Sequence, residues 1–217
     1  MYKLLIFDWD GTVIDSAARI VSSVSRSALD LSFEPPTVDA IHNIIGLGLP
    51  EAILTLYPGL DSVSVDRMRE RYAYHYLSAD TTPATLFPGA KASLESLRNK
   101  GFRLAVATGK SRRGLDRVLS DTGLGSLFEI TRCADETTSK PDPHMLHEIL
   151  EGTGVSPDQA LMIGDTEYDM EMGVRAGVPG VAVSYGAHHI SRLRPYNPVL
   201  EINHFPELEL WLDSGIS

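Results

Sequence analysis

The chain has 217 residues, 43% of them hydrophobic, which is more than one typical domain and enough for a sizeable core. Its formal charge of −10 speaks against broad binding to nucleic acid or anionic membrane, since both need a basic face. No apolar run approaches the ~20 residues of a membrane-spanning helix, Leu4 to Phe7 is too short for a signal peptide, and the single Cys133 points to a reducing cytoplasm.

Lys3 to Phe7 reads KLLIF, an apolar run that ends abruptly at Asp8. That pattern predicts a buried parallel strand delivering residue 8 to an edge where ligands bind. From about Asp15 to Asp80 the pattern turns helical, with no convincing strand. One apolar stripe is Ala17, Ile20, Val21, Val24, Ala28 and Leu31; a second is Val38, Ile41, Ile44 and Ile45; a third is Val65, Met68, Tyr72 and Tyr76. Thr81-Thr82-Pro83 and Phe87-Pro88-Gly89 read as a return hinge. Strands and helices then alternate. Ala90 to Lys100 is a helix stopped by Gly101, and Arg103 to Ala107 a strand. Ser111 caps a helix carrying Leu115, Val118 and Leu119 that ends at Gly123, and Leu127 to Thr131 is the next strand. Pro143 opens a helix with Leu146, Ile149 and Leu150, and Ser156-Pro157 is a further cap with a first turn. Ala160 to Ile163 and Gly180 to Val183 are the last strands expected.

This alternation predicts an α/β fold, a doubly wound parallel sheet formed by residues 1–14 and 84–217. Residues 15–83 form an inserted all-helical cap, or else a helical extension packed rigidly on the core. Ligands of such sheets sit beyond the carboxyl ends of the strands, where the strand order reverses.

Four clusters fall at those ends. The first is Asp8-Trp9-Asp10-Gly11-Thr12. Two carboxylates this close repel by about 4 kcal/mol at an effective surface dielectric, so a cation should compensate, and a hard divalent ion suits oxygen ligands. A plain acidic turn is the alternative; a calcium loop of the EF-hand type lacks the required spacing and a preceding helix. The second is Thr108-Gly109-Lys110-Ser111, a hydroxyl and open N–H groups at a strand-to-helix junction that could face an anion, or a simple turn and cap. The third is Lys140, held in the turn Ser139-Lys140-Pro141-Asp142-Pro143, which would aim its ammonium. The fourth is Gly164-Asp165-Thr166-Glu167-Tyr168-Asp169, where Asp165 is placed as a metal ligand and Asp169 lies on the same side of a starting helix. Asp169 could equally serve only the helix N-terminus.

In this order the four clusters resemble the haloacid dehalogenase superfamily: D-x-D-G-T at Asp8 to Thr12, the hydroxyl of Thr108, the lysine Lys140, and G-D-T-x-x-D at Gly164 to Asp169. The helical insert, Ala176-Gly177-Val178-Pro179 and Ile45-Gly46-Leu47-Gly48-Leu49 resemble its phosphoglycolate-phosphatase-like branch. The resemblance implies a phosphatase acting on a small phosphorylated metabolite, phosphoglycolate or a related ester. Asp8 would be the nucleophile and Asp10 the general acid and base. Mg2+ would be held by Asp8, the Asp10 backbone carbonyl and Asp165. Thr108, Gly109 and Lys140 would bind the phosphoryl oxygens, and Asp169 would orient Lys140 or a metal-bound water. Dehalogenases lack the second acid, so Asp10 disfavours that chemistry.

The Gly46-Leu47-Gly48 turn is the cap loop expected to face substrate. His144, His147 and Cys133 are spaced like part of a zinc site but have no second ligand group. His188-His189 and Arg192 to Arg194 follow the fifth strand and read as solvated loop or else as an edge of the active site, and Tyr72, Tyr74 and Tyr76 as cap packing, with one hydroxyl able to face substrate. Two other functions share these residues. A sugar phosphomutase would return the phosphoryl group to sugar, but no histidine follows the first cluster at Asp15 to Arg19. A phospho-accepting signalling module would carry its acceptor on a middle strand of a shorter, capless fold. Oligomeric state is unreadable from sequence.

Overall fold

The computed structural model describes residues 1–215. Its centre is a six-stranded parallel sheet in the order β5-β4-β1-β6-β7-β8. The strands are β1 (Leu4–Phe7), β4 (Arg103–Thr108), β5 (Ile130–Cys133), β6 (Ala160–Gly164), β7 (Gly180–Val183) and β8 (Leu200–Ile202). Side chains alternate between the two faces of such a sheet. Leu5 and Phe7 point into one core with Leu104, Val106, Leu161 and Ile163, whereas Leu4 and Ile6 join the other with Ala105, Ala107 and Met162. Helices α5 (Ala90–Asn99), α6 (Arg112–Thr122) and α9 (Glu207–Asp213) cover the first face, and α7 (His144–Thr153) and α8 (Glu167–Ala176) the second. Burial on both faces explains why these strands read as unbroken apolar runs.

β1 lies between β4 and β6, with register Phe7↔Val106 on one side and Phe7↔Ile163 on the other. The chain winds outward from β1 to β4 and β5, then crosses to β6, β7 and β8. The strand order therefore reverses beside β1, and the carboxyl ends of β1, β4 and β6 share one crevice.

Between β1 and β4 the chain leaves the sheet to form α1 (Ala17–Asp30), α2 (Val38–Ile44), α3 (Leu49–Leu56) and α4 (Ser62–Tyr74), the last continued by a π-helical turn at His75–Ala79. These helices bury their own cluster, including Ile20, Val24, Ile41, Ile53, Val65 and Met68. Thr37 and Asp61 cap α2 and α4 by accepting the N–H of Ala40 and Ser64. The chain enters and leaves through two paired antiparallel strands, β2 (Ile14–Asp15) and β3 (Thr85–Leu86), with Ile14↔Leu86 and Asp15↔Thr85 in register. That pairing was not expected, because two residues carry no readable alternation.

Two other expectations are corrected. The fifth strand is Ile130–Cys133, not Leu127 to Thr131. Gly125–Leu127 is a 3-10 turn, and Leu124 and Phe128 are apolar because they fill the first core, Phe128 lying edge-on to Trp9 at 5.9 Å. The Ser156-Pro157 signal opens only a short 3-10 turn, Pro157–Gln159, that feeds β6. Strand β8 and helix α9 were not anticipated. No helix among the described residues is long and apolar enough to cross a membrane.

Candidate active site

β1 ends by handing Asp8 into a tight loop. The carbonyl of Trp9 accepts the N–H groups of Val13 and Ile14, at 2.9 and 3.1 Å, and Gly11 N–H donates to Ile14 O at 2.9 Å. Gly11 takes φ +89°, and a Cβ there would sit 2.1 Å from an oxygen of Asp165. Only glycine supplies both that backbone and that approach. The loop thereby lies against β6's first following residue.

Asp8, Asp165 and Asp169 converge so that one carboxylate oxygen from each lies within 4.8 Å of the others. Lys140 reaches in from the loop before α7, donating to Asp8 Oδ1 at 2.5 Å and Asp169 Oδ1 at 2.6 Å. All four side chains are buried. Asp169 Oδ2 accepts from the backbone and hydroxyl of Thr166, closing a capping box at the start of α8. Asp165 accepts from the Thr12 hydroxyl at 2.9 Å and Ala187 N–H at 2.7 Å. Asp8 Oδ2 is buried and has no donor at all.

Three carboxylates thus face one ammonium. Burial drives Asp8 well above the usual carboxylate range; Lys140 pulls against it, and the neighbouring Asp169 and Asp165 push with it. Asp165 is carried to about 7 by burial and by Asp169. Burial works against Lys140 too, but the two facing carboxylates outweigh it and keep it charged. An excess of buried carboxylate, with one oxygen lacking any partner, fits a hard divalent cation. Asp8 Oδ2 is free to offer, and each oxygen of Asp165 accepts a single hydrogen bond, whereas Asp169 is tied to Lys140 through one oxygen and twice to Thr166 through the other.

Asp10 belongs to a second network. Lys110 donates to its two oxygens at 3.0 and 2.9 Å, Ser16 Oγ donates to Oδ1 at 2.6 Å, and the Tyr76 hydroxyl approaches Oδ1 at 3.4 Å. Lys110 also donates to Tyr76 Oη at 3.0 Å and sits 4.4 Å from the centre of that ring. Burial lowers the proton affinity of Lys110, but Asp10 first, then Tyr76 and Tyr72, raise it above the ordinary lysine value. Lys110 was visible in the second cluster, without a role. Ser16 carried no local signal, whereas Tyr76 belongs to the tyrosine cluster from which one hydroxyl was expected to be able to face substrate, and its hydroxyl reaches Asp10. Tyr76 sits in the π-helical turn ending α4, a distortion of the kind found at functional sites.

Thr108, at the end of β4, is fully buried and lines the same cavity as Asp8 and Asp10, its Oγ1 accepting Lys110 N–H at 3.2 Å. Gly109 has no room for a side chain: a Cβ would lie 2.4 Å from Leu47 O and 2.5 Å from Gly46 O. The Gly46-Leu47-Gly48 loop therefore rests on the second cluster. Gly48 N–H donates to Ser139 Oγ at 2.7 Å, beside Lys140. Gly109→Ala is expected to keep the fold but lift this loop, raising KM about tenfold or more with a smaller change in kcat. Steady-state kinetics check this; an unchanged KM would show that the loop contact is dispensable.

His188 corrects another expectation. It is buried rather than solvated, accepting Glu167 N–H at Nδ1 and bridging to Asn43 O at 3.2 Å from Nε2. Arg192 is tied to Glu167. His144 pairs with Glu148, and Cys133 lies in the first core.

From these residues a cavity of about 110 Å³ extends away from Asp8 and Asp10 between α1, α3 and α4.

The sequence pattern of the haloacid dehalogenase-like hydrolase family matches residues 5–183. A phosphoglycolate phosphatase from Psychrobacter arcticus is 29% identical over 95% of this chain and 94% of its own. One from Aquifex aeolicus is 31% identical over 85% of each. The crystal structure of a hydrolase from Pseudomonas syringae superposes with a TM-score of 0.88 at 25% identity, covering 99% of this chain and 100% of that one.

Proposed function

Since the chain belongs to the haloacid dehalogenase-like hydrolase family, we propose that it is a Mg2+-dependent phosphatase hydrolysing a small phosphorylated metabolite through an aspartyl-phosphate on Asp8. The observation that carries this reading is the cluster of Asp8, Asp165, Asp169 and Lys140 at the strand-order reversal, with one oxygen of Asp8 unpartnered. Nucleic acid and membrane have no part in it.

In the first step the Asp8 carboxylate attacks phosphorus, a new P–O bond forms, and the ester P–O bond breaks. Asp10 enters this step protonated, having exchanged one of its Lys110 contacts for the ester oxygen, and gives that proton to the departing alkoxide. In the second step Asp10 takes a proton from water, whose oxygen attacks phosphorus. The Asp8–phosphorus bond breaks, inorganic phosphate leaves, and Asp8 is restored. Lys140, the Thr108 hydroxyl and the Gly109 N–H bind the phosphoryl oxygens as charge gathers there. Asp169 holds Lys140 in line. Asp8, the Asp10 backbone carbonyl and Asp165 would hold Mg2+, which would supply Lewis-acid neutralisation of phosphoryl charge. Residues 15–83 act as the cap over this chemistry on the core of 1–14 and 84–217, and exclude bulk water. We place the enzyme in the reducing cytoplasm, where the single buried Cys133 stays a free thiol.

The test is phosphate release from an aryl phosphate by the purified protein with Mg2+, stopped by chelation and restored by added metal. No release with any ester, or isomerised sugar phosphate without free phosphate, overturns the reading.

Metal binding should also be visible without turnover. Asp8 and Asp165 have folded-state pKa values above the unfolded carboxylate value, so the metal-free protein holds extra protons and loses stability as pH climbs from about 4 towards 7. Mg2+ must displace those protons. Millimolar Mg2+ is expected to raise Tm by roughly 5 °C or more near pH 8 and by little near pH 5. Thermal melts check this, and equal shifts at both pH values would contradict it.

A further inference from the structure

The cavity beside Asp8 and Asp10 has two unlike ends. At the core end stand Asp8, Asp10 and Lys110, the charged side chains that line it. The cap end is walled by Ile20, Val24, Ile53, Leu56, Met68 and Leu77, and every residue the cap contributes is uncharged. The cap does contain arginines, but none lines the cavity: Arg71 pairs with Asp30, Arg69 with Asp66, Arg19 Nε donates to the carbonyl of Thr82, and Arg26 and Arg67 are exposed. Before substrate enters, Lys110 pairs with Asp10 and its three N–H donors are matched by the two oxygens of Asp10 and the hydroxyl of Tyr76, and it stands at the core end, away from the apolar wall.

From this wall we propose, building on the phosphatase reading, that the leaving group is a small apolar alcohol or phenol, so that the substrate carries no charge beyond its phosphate. A carboxylate carried into this end of the cavity would lose its water and gain no cation, and a polyol would leave several hydroxyls unpaired. An apolar group meets the opposite situation, since it is removed from water against aliphatic side chains. Size points the same way. The whole cavity, phosphoryl end included, is about 110 Å³, less than the ~150 Å³ apolar cavity that accepts benzene, so the leaving group is no larger than one ring or a short branched chain. Small residues keep this space open: Ala52 and Ala73 line it where larger side chains would fill a helical interior. Continuity with Asp8 and Asp10 places whatever occupies it on the leaving-group side of the transferred phosphoryl group. Phosphoglycolate, named for several relatives, is on this basis a poor substrate of this chain.

Benzyl phosphate and phosphoglycolate test this cleanly, because both are phosphate esters of a CH2–O group and differ in carrying phenyl or carboxylate beyond it. Benzyl phosphate is expected to have a kcat/KM about 100-fold higher. In Ala52→Leu, which fills part of the cavity, the ratio of kcat/KM for benzyl phosphate over methyl phosphate is expected to fall at least about tenfold. Phosphoglycolate turning over as efficiently as benzyl phosphate overturns the proposal, as does an unchanged ratio in a folded Ala52→Leu protein. Calorimetric titration of 2-phenylethylphosphonate against 3-phosphonopropionate, the non-hydrolysable counterparts, separates this proposal from the activity on which it rests. If no ester is hydrolysed the phosphatase reading fails, while tighter binding of the phenyl compound still supports the apolar site and equal or weaker binding removes it.

Discussion

Asp8→Asn is expected to lower kcat by about 10⁴-fold or more while leaving the protein folded. The amide cannot form the phosphoryl bond, and loss of the nucleophile in a covalent mechanism leaves only the contribution of binding groups. Its effect on stability runs the other way. The Asp8 carboxylate is buried beside Asp165 and Asp169, and burial and those neighbours disfavour its charge more than Lys140 favours it. A neutral amide relieves that repulsion, and Lys140 keeps its bond to Asp169. The metal-free Tm should therefore hold or rise near pH 8, while the stabilisation by Mg2+ shrinks. Aryl phosphate turnover and thermal melts together check this. An Asp8→Asn protein with unimpaired turnover would remove Asp8 from the reaction.

The second large effect is expected at Lys140. Lys140→Met keeps most of the volume but strands Asp8 and Asp169 in a fully buried site. Removing one partner of a buried ion pair typically costs about 3–5 kcal/mol, because a charge remains without compensation. For a chain of this size that is a Tm fall of roughly 10 °C. Asp8 already binds its proton more tightly than an ordinary carboxylate, and losing the ammonium strengthens that tendency. The destabilisation should therefore be larger near pH 8 than near pH 5, where the stranded acid takes up a proton. Added Mg2+ should recover part of the loss at pH 8, while kcat stays about 10³-fold down because the phosphoryl cation is missing. A Met variant with the parent's Tm at both pH values would show that Lys140 does not balance the acids.

What could be read from the sequence and what could not divide along physical lines. β1, β4, β6 and β7 are covered on both faces, so their apolar runs are continuous and stop where charge begins. That is why Asp8 and Asp165 could be placed at strand ends. β8 escaped notice because it is three residues long, lies at the sheet edge, and exposes Glu201 between Leu200 and Ile202. The Leu127 to Thr131 run misled because Phe128 is apolar for packing against Trp9, not for strand pairing. The Lys140–Asp8–Asp169 triangle was legible only through resemblance, since its members lie 132 and 29 residues apart. The Lys110–Asp10–Tyr76 contact is longer-range still in kind: it joins a core strand end to a helix of the insert, and no spacing rule connects residues 10, 76 and 110. The apolar wall was hidden for another reason. Ile20, Val24, Ile53 and Met68 have the periodicity of any helix core, and only the three-dimensional arrangement shows that part of their face opens onto Asp8.

The strand Ile14–Asp15, paired with Thr85–Leu86, lies only a few residues from Asp10, and Ser16, the residue just past it, is bonded to Asp10. A swing of the four-helix insert about that pair would act as a short lever whose inner arm is Asp10, the acid of the proposed mechanism. Ser16 and Tyr76 would withdraw from Asp10 in the stroke that uncovers the cavity. Product escape and resetting of the acid would then share one clock, so a substitution that stiffens Ile14 to Ser16 should slow both by the same factor.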